Sequence, residues 1–236
     1  MTSQPRPRQL SIVIPVLDEA ARIADLLTSL HDLRQNGAEI IVVDGGSSDD
    51  TARLAAPHAD QVISAPRGRG AQMNAGAAAA CGSIMLFLHA DTRLPAAAAT
   101  LIVRAIDRGA IWGRFDVKIE GQAAGLGLIA FMMNWRSRLT GIATGDQAIF
   151  VTKAAFTATG GFADIPLMED IDFSRRMRAL ARPACLPEKA VTSGRRWEKH
   201  GVLRTIVTMW RLRLRYFLGA NPNHLAREYG YVPRQQ

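Results

Sequence analysis

Carboxylates, one histidine and several arginines stand at the ends of apolar runs in this chain. In IMLFLHADT (84–92), five apolar residues run straight into His89, Ala90 and Asp91. A carboxylate ending a buried strand is costly unless it is paired or holds a cation. Mg²⁺ and Mn²⁺ take oxygen ligands, and Mg²⁺ is often held by one or two carboxylates plus substrate phosphates. The competing reading is a helix cap, with Asp91 or Thr92 opening a helix at Leu94-Pro95. Asp44 ends a second apolar run, EIIVVD, before Gly45-Gly46-Ser47-Ser48. This is not the GxGxxG pattern, so a dinucleotide site is unsupported. Asp44 can accept from a base N–H or a ribose hydroxyl, or simply fix the turn. Asp49 and Asp50 read as helix caps. Arg67 and Arg69 lie among glycines that permit close backbone approach to a ligand, and arginine forks match phosphate oxygens. Glu169, Asp170 and Asp172 cluster at a helix start, where a carboxylate can act as general base or merely complement the helix dipole. Arg195, Arg196 and Trp197 open RRWEKHG (195–201), which reads as a diphosphate clamp or as a solvated charge run.

Positioning these residues requires alternating strands and helices. LSIVIPVLDEA (10–20) predicts a buried strand ended by Pro15. Asp18 then caps a helix carrying Ile23, Leu26, Leu27 and Leu30 at helical spacing. Residues 39–51 predict a strand, a turn and a helix start. Residues 61–66 predict a shorter strand, 67–80 a glycine-containing loop entering an Ala-rich helix, and 84–88 a fourth strand. Such alternation predicts an α/β protein with a mostly parallel sheet, whose ligands bind beyond the carboxyl ends of the strands. All four strands deliver polar groups to that rim. The second half is less regular. Strands are expected at 111–119 and 148–153, helices at 123–139 and 167–180, an edge strand containing Pro187 at 184–193, and a basic amphipathic helix at 201–218.

Bulk properties bound the partners. The chain has 236 residues, 48% hydrophobic and 21% charged, with a net charge of +8. That suits one domain with a sizeable core. Aromatic content of 6% leaves few stacking platforms, which argues against nucleic acid. Cys81 and Cys185 show no metal-type spacing and read as reduced, buried and structural. The polar, Pro-rich start lacks an apolar signal region, and no apolar run reaches the length of a membrane span. The expectation is a cytoplasmic protein, free or peripheral on the inner face of a membrane, with residues 1–9 disordered.

Taken in order, IVIPVLDEA, IIVVDGGSSDDT, GRGAQMNAG, LFLHADT, TGDQAIF, MEDIDFSRR and RRW resemble the family 2 glycosyltransferases of GT-A fold, over roughly residues 10–200. The pattern is most similar to a small single-domain branch associated with arsenosugar biosynthesis. The resemblance implies a nucleotide-sugar donor, usually a UDP-sugar, and a divalent metal, Mn²⁺ or Mg²⁺. It implies that Pro15, Glu19 and Asp44 border the uridine, and that Arg69 and Asn74 lie over the nucleotide and donor. Asp91 matches the metal-binding aspartate of the DxD motif. Asp170, with Glu169 beside it, matches the ED motif that supplies the general base. Gly145, Asp146 and Gln147 match a loop near the donor sugar and acceptor, and Arg195, Arg196 and Trp197 the R-x-W element near the diphosphate. The first DxD position is His89 here, which points to the ribose, a phosphate or a metal-bound water, and to altered metal dependence.

The implied reaction is an inverting displacement on an unidentified hydroxyl acceptor, a small molecule or a lipid-linked one. Two rivals share the fold and the ligand. A sugar-phosphate nucleotidyltransferase would carry a Gly-rich signature after the first strand, where PVLDEA stands instead. A non-catalytic nucleotide-sugar-binding protein would not need the carboxylates of MEDID. In the C-terminal extension (201–236), Leu203, Val207, Trp210, Leu214 and Phe217 form one apolar stripe flanked by Arg204, Arg211 and Arg215. The expectation is that this stripe packs against the catalytic sheet, the alternative being an anionic membrane surface.

Overall fold

The computed structural model describes residues 9–231, so of the disorder expected for 1–9 all but Gln9 lies outside the described residues, and the Gln9 carbonyl accepts from Ile84 N at 2.9 Å. Eight strands form one sheet in the order β3-β2-β1-β4-β7-β6-β8-β5. They are β1 (Leu10–Val16), β2 (Glu39–Asp44), β3 (Gln61–Ser64), β4 (Ile84–Phe87), β5 (Thr92–Arg93), β6 (Trp112–Glu120), β7 (Ile149–Thr152) and β8 (Ala184–Ser193). The helices are α1 (Ile23–Ser29), α2 (His31–Gln35), α3 (Thr51–Ala55), α4 (Arg69–Ala79), α5 (Ala98–Asp107), α6 (Leu126–Thr140), α7 (Lys153–Ala158), α8 (Glu169–Leu180), α9 (Arg195–His200), α10 (Val202–Phe217) and α11 (Pro222–Glu228).

β1, β2, β3 and β4 are parallel, as their unbroken apolar sequences predict for strands covered on both faces. One face packs Ile12, Ile14, Ile40, Val42 and Leu86 under α1 and α5. The other packs Val13, Ile41, Val43, Met85 and Phe87 under α4 and α8. Gly76 explains a glycine inside the Ala-rich α4, because a Cβ there would stand 2.3 Å from Val13 Cγ1. The sheet then becomes mixed. β7 runs antiparallel to β4 and β6, while β6 and β8 are parallel. The antiparallel step brings the turn before Ile149 back to the rim where β1, β2 and β4 end, since Ile149 pairs with Phe87.

Several expectations change. Pro15 does not end its strand, which continues through Val16. Its missing N–H faces the β4 side, where β4 has already ended opposite Val13, so no ladder bond is lost. Asp18 caps no helix: α1 starts at Ile23, and Asp18 adopts φ 52°. Asp91 and Thr92 start no helix either, because β5 follows and α5 begins at Ala98. β8 is not the edge strand; it lies between β6 and β5. Pro187 sits at a register break, where Phe115 pairs with Leu186 but Asp116 with Lys189. Both cysteines are free, but Cys81 is exposed and Cys185 half-buried.

The largest change concerns α10. Its stripe does not pack on the sheet. Leu203 is 79% exposed, Trp210 67%, and Val207, Leu214 and Phe217 are all exposed. The helix is held instead by Leu212, in a small cluster with Leu167, Met168, Ile171 and Leu225, and by Val202 and Ile206 against Ile129 and Ala130 of α6. No helix among the described residues is long and apolar enough to cross a membrane.

Candidate active site

The loops that follow β1 and β2 are laced together. Asp18 N donates to Ser47 Oγ (2.9 Å), Ser48 N to Asp18 Oδ1 (2.7 Å), Glu19 N to Thr51 Oγ1 (2.8 Å) and Ala20 N to Asp49 Oδ2 (3.1 Å). Beneath them, Gln72 of α4 donates to the carbonyls of Val16 and Val43, both at 2.8 Å. Sequence reading passed over Gln72; a lone buried amide in an Ala-rich helix was its only signal. The Asp44 carboxylate accepts from the N–H groups of Gly46 and Ser47 and from the Ser47 hydroxyl, which fixes its own turn. A carboxylate has about four acceptor positions, so one remains for a ligand donor. Glu19 accepts from Arg22 Nη1 at 2.9 Å, and Arg67 is exposed at the rim, 5.7 Å from the Tyr231 ring centroid.

A second group of residues meets across the sheet. Arg69 Nε lies 2.7 Å from Glu169 Oε1, and the other Glu169 oxygen is buried without a partner. Burial pushes the Glu169 carboxyl up, against the pull of Arg69, and the neighbouring Asp170 charge adds to the rise. The Arg69 guanidinium is held above its usual range chiefly by Glu169. Asp170 accepts from Gly145 N (3.0 Å) and from Ile171 N (2.7 Å), which aims its carboxylate at the 145–147 turn. His89 Nδ1 lies 3.4 Å from Asp146 Oδ1. Burial alone would lower the His89 pKa, but the hydrogen bond to Asp146 and the charges of Asp146 and Asp91 outweigh it and raise it. Burial would raise the Asp146 carboxyl, but His89, Arg69 and Arg213 bring it below the usual range. The ring of His89 is wedged against Gly145, where a Cβ would stand 2.2 Å from its Cε1 and Nε2. Among the described residues, three non-glycine residues adopt positive φ, namely Asp18, Ala148 and Met168, and each borders one of these loops.

Four candidates are used elsewhere. Asn74 spends both ends of its amide on the Phe162 backbone (2.8 and 2.9 Å), so it staples the 159–165 loop to α4. Gln147 is fully buried, bonded to Thr144 N and Asn134 Oδ1. Arg196 lies 3.5 Å over the Tyr229 ring and donates to the Tyr229 carbonyl, so it fastens α9 to the end of α11. Trp197 packs with Val117, Ile119 and Leu126 in a satellite core. The amides of Asn74 and Gln147 are engaged by these contacts, while Arg196 and Trp197 are half-buried by theirs. Asp172 pairs with Arg175 and Arg176 on its own helix.

Asp91 is the rim carboxylate open to a cation. Its side chain is 32% exposed, Arg195 Nη2 stands 3.9 Å away, and its own bond from Thr92 is long at 3.4 Å. It borders a cleft of about 330 Å³ with Arg22, Ser193 and Arg195. No group of three or more potential metal ligands exists among the described residues. His89, in the first position of the pattern, makes its contact with Asp146 instead. The donor set therefore fits a hard divalent ion shared between one carboxylate and a ligand's phosphates, not a closed protein cage.

Two arginines that sequence reading did not single out stand beside this group. Arg136 of α6 and Arg213 of α10 have buried guanidinium nitrogens without any partner, and neither forms an ion pair among the described residues. Burial, and then the Arg213 charge, lower the Arg136 guanidinium to about 10, while Asp170 and Asp146 oppose that fall. Burial lowers Arg213 likewise, opposed by Asp170, Asp146 and Tyr229. Arg114 shows the ordinary solution: fully buried, it is paired with Asp116 and bonded to Ser137 Oγ and the Asn134 carbonyl.

The family model for glycosyl transferase family 2 matches residues 11–155, which carries the laced loops, Arg69, His89, Asp91 and the 145–147 turn. An uncharacterized glycosyltransferase of Mycobacterium tuberculosis (strain H37Rv) is 34% identical over 102 residues, 43% of this chain and 45% of that protein. An uncharacterized glycosyltransferase of Mycobacterium bovis matches to the same extent. The matched segment thus spans less than half the length of these relatives. Among solved structures, S. aureus TarS 1-349 in complex with UDP-GlcNAc aligns with a TM-score of 0.64 at 19% identity, over 78% of this chain and 58% of that one. The mannosyltransferase PcManGT from Pyrobaculum calidifontis, in complex with GDP-Man and Mn²⁺, aligns with a TM-score of 0.64 at 21% identity, over 90% and 61%. Glucosyl-3-phosphoglycerate synthase from M. tuberculosis, with Mn²⁺, UDP and glucosyl-3-phosphoglycerate, aligns at 0.59 and 21%, over 78% and 71%. These likenesses establish the GT-A fold, and with the matching family model over most of the chain, this protein belongs to glycosyl transferase family 2.

Proposed function

We propose that the protein transfers a sugar from a nucleoside diphosphate donor, a UDP-sugar, to a hydroxyl acceptor with inversion at the anomeric carbon. The observation that carries this is the Glu169–Asp170 pair, fixed by Arg69 and by Gly145 N at the rim where β1, β2 and β4 end. Asp44 and the laced loops border the base and ribose. Arg195 faces the diphosphate beside Asp91. A divalent metal would be held by Asp91 together with the donor's phosphates, and would supply positive charge to the departing diphosphate.

Asp170 acts as the base. Its two backbone hydrogen bonds fix the carboxylate and leave lone pairs for the acceptor hydroxyl. As the acceptor oxygen bonds to the anomeric carbon, its proton passes to Asp170, and the bond from that carbon to the diphosphate oxygen breaks on the opposite face. Glu169, neutralised by Arg69, keeps Asp170 from facing a second free negative charge. The test is thermal shift with UDP, GDP and their sugars, with and without Mn²⁺. UDP species should stabilise the protein in Mn²⁺, and Asp91→Ala should remove that effect. Asp170→Asn should keep donor binding and lose transfer by roughly 10²–10⁴-fold. Normal transfer by Asp170→Asn would refute the base assignment.

A further inference from the structure

Arg136 and Arg213 are the unexplained groups of this site. Both residues are half-buried, with guanidinium nitrogens shut off from solvent and from any partner; like charges repel, and a buried polar group without a partner is costly. The chain meets this need at Arg114 with Asp116, whereas guanidinium nitrogens of Arg136 and Arg213, on two helices, stay unmet. Leu212, next to Arg213, packs with Met168 and Ile171 on either side of Glu169 and Asp170, and Asn134, two residues before Arg136, bonds Gln147 of the 145–147 turn, so both arginines belong to the base side of the site. An anion seated between the guanidinium groups would satisfy the orphaned N–H donors and cancel the repulsion.

We propose that Arg136 and Arg213 form a second anion site, which holds a phosphate group on the acceptor next to Asp170. It rests on the transferase reading and narrows the acceptor to a phosphorylated alcohol. Each guanidinium offers paired N–H donors to phosphate oxygens, and the bound anion sets the acceptor hydroxyl within reach of the Asp170 carboxylate. A soluble phosphomonoester and a lipid phosphate present the same chemistry.

The experiment titrates glycerol 3-phosphate, and separately detergent micelles doped with a prenyl monophosphate, into the UDP- and Mn²⁺-loaded protein by calorimetry. Wild type should bind one of the two, and which one names the source. Arg136→Gln and Arg213→Gln should each weaken that binding tenfold or more, keep UDP affinity, and raise the melting temperature by removing a repelling charge. Failure of both phosphates to bind a protein that binds UDP overturns the proposal, as does equal binding by the variants. A loss of UDP affinity in either variant assigns the pair to the donor and also overturns it. Failure of wild type to bind UDP strikes the transferase reading; the anion site is then judged on the phosphate titrations alone.

The outer faces of the same helices carry an independent inference. α6 exposes Leu128, Phe131, Trp135 and Leu139, and α10 exposes the stripe from Leu203 to Phe217. The helices adjoin through Ile129, Ala130, Val202 and Ile206. Arg136 and Arg213 belong to the buried pair and Arg138 to Asp116, but Arg204 is exposed, and Arg211 and Arg215 share the single carboxylate of Glu228, so the face keeps a net positive charge. We infer that this face lies on an anionic lipid surface, with aromatic and aliphatic side chains in the interface and Arg204, Arg211 and Arg215 at the headgroups. A second copy of the chain would bring the same positive charge to it. Co-sedimentation with phosphatidylcholine vesicles containing phosphatidylglycerol, at physiological salt, should be strong in wild type and lost in Trp210→Glu and Leu203→Glu, with unchanged melting temperatures. No sedimentation, or a dimer in solution that the same substitutions dissolve, would overturn the inference.

Discussion

Gly145 and Gly127 undergo the same substitution to alanine with opposite expected outcomes. At Gly145 a Cβ would stand 2.2 Å from two atoms of the His89 ring. Ordinary carbon contacts need about 3.5–4.0 Å, so the ring or the turn must move by more than an ångström. The ring cannot retreat freely, because it is 15% exposed and faces Asp146. The turn cannot retreat either, because Gly145 N is bonded to Asp170. Overpacking of this kind costs about 1–3 kcal/mol. At this chain length each kcal/mol moves the melting temperature by roughly 2–4 °C, so Gly145→Ala should melt about 2–12 °C lower. At Gly127, in the first turn of α6, a Cβ meets nothing within 4 Å, and alanine should add about 0.5–1 kcal/mol. Differential scanning calorimetry on both variants tests the pair. His89→Ala combined with Gly145→Ala should recover stability relative to the sum of the single changes, since the obstructing ring is gone. A Gly145→Ala protein that melts like wild type, with additive behaviour in the double variant, would refute the wedge between His89 and the turn.

Gln72→Met keeps the volume but abandons the Val16 and Val43 carbonyls; with each buried acceptor worth about 1–3 kcal/mol, unfolding by urea should show a loss of roughly 2–6 kcal/mol. His89 and Asp146 should give a pH-dependent contribution. The raised His89 pKa stabilises fully below the usual imidazole value of 6.5 and is lost as pH rises through the higher folded value. The lowered Asp146 pKa stabilises above the usual 3.8 and is lost as pH falls through the lower folded value. His89→Gln should therefore cost more stability at about pH 5.5 than at about pH 8.5, read from melting curves; an equal cost at both would show that the pair is not ionic. Asn74→Ala should loosen the 159–165 loop, seen as faster amide exchange at Phe162, with UDP affinity retained.

The parallel half of the sheet was legible because its strands are buried on both faces, and double burial writes itself as runs such as IIVVD and IMLFL. The rim followed from the same fact: polar residues after such runs must stand at strand ends. Partnerships were not legible. Asn74 and Phe162 are 88 residues apart, and nothing local marks Asn74 as a staple. Trp197 beside two arginines reads as a ligand clamp, yet a nearby satellite core takes it up. In α10 the apolar stripe was visible, but periodicity does not tell which side the rest of the protein occupies. Arg136 and Arg213 stood in helices read for their apolar residues, and only the missing acceptors around their side chains distinguish them from surface arginines.

The lacing of the loops after β1 and β2 has a kinetic consequence. Their four cross-links exist before any nucleotide arrives, so donor capture requires little loop ordering, and its entropy loss is confined mainly to the ligand. On the proposed reading the arginine end is the reverse, two like charges whose repulsion is relieved only when an anion is bound. A preorganised donor cradle beside such an acceptor seat would then favour sequential turnover, with the nucleotide-sugar docking first and the acceptor anion second.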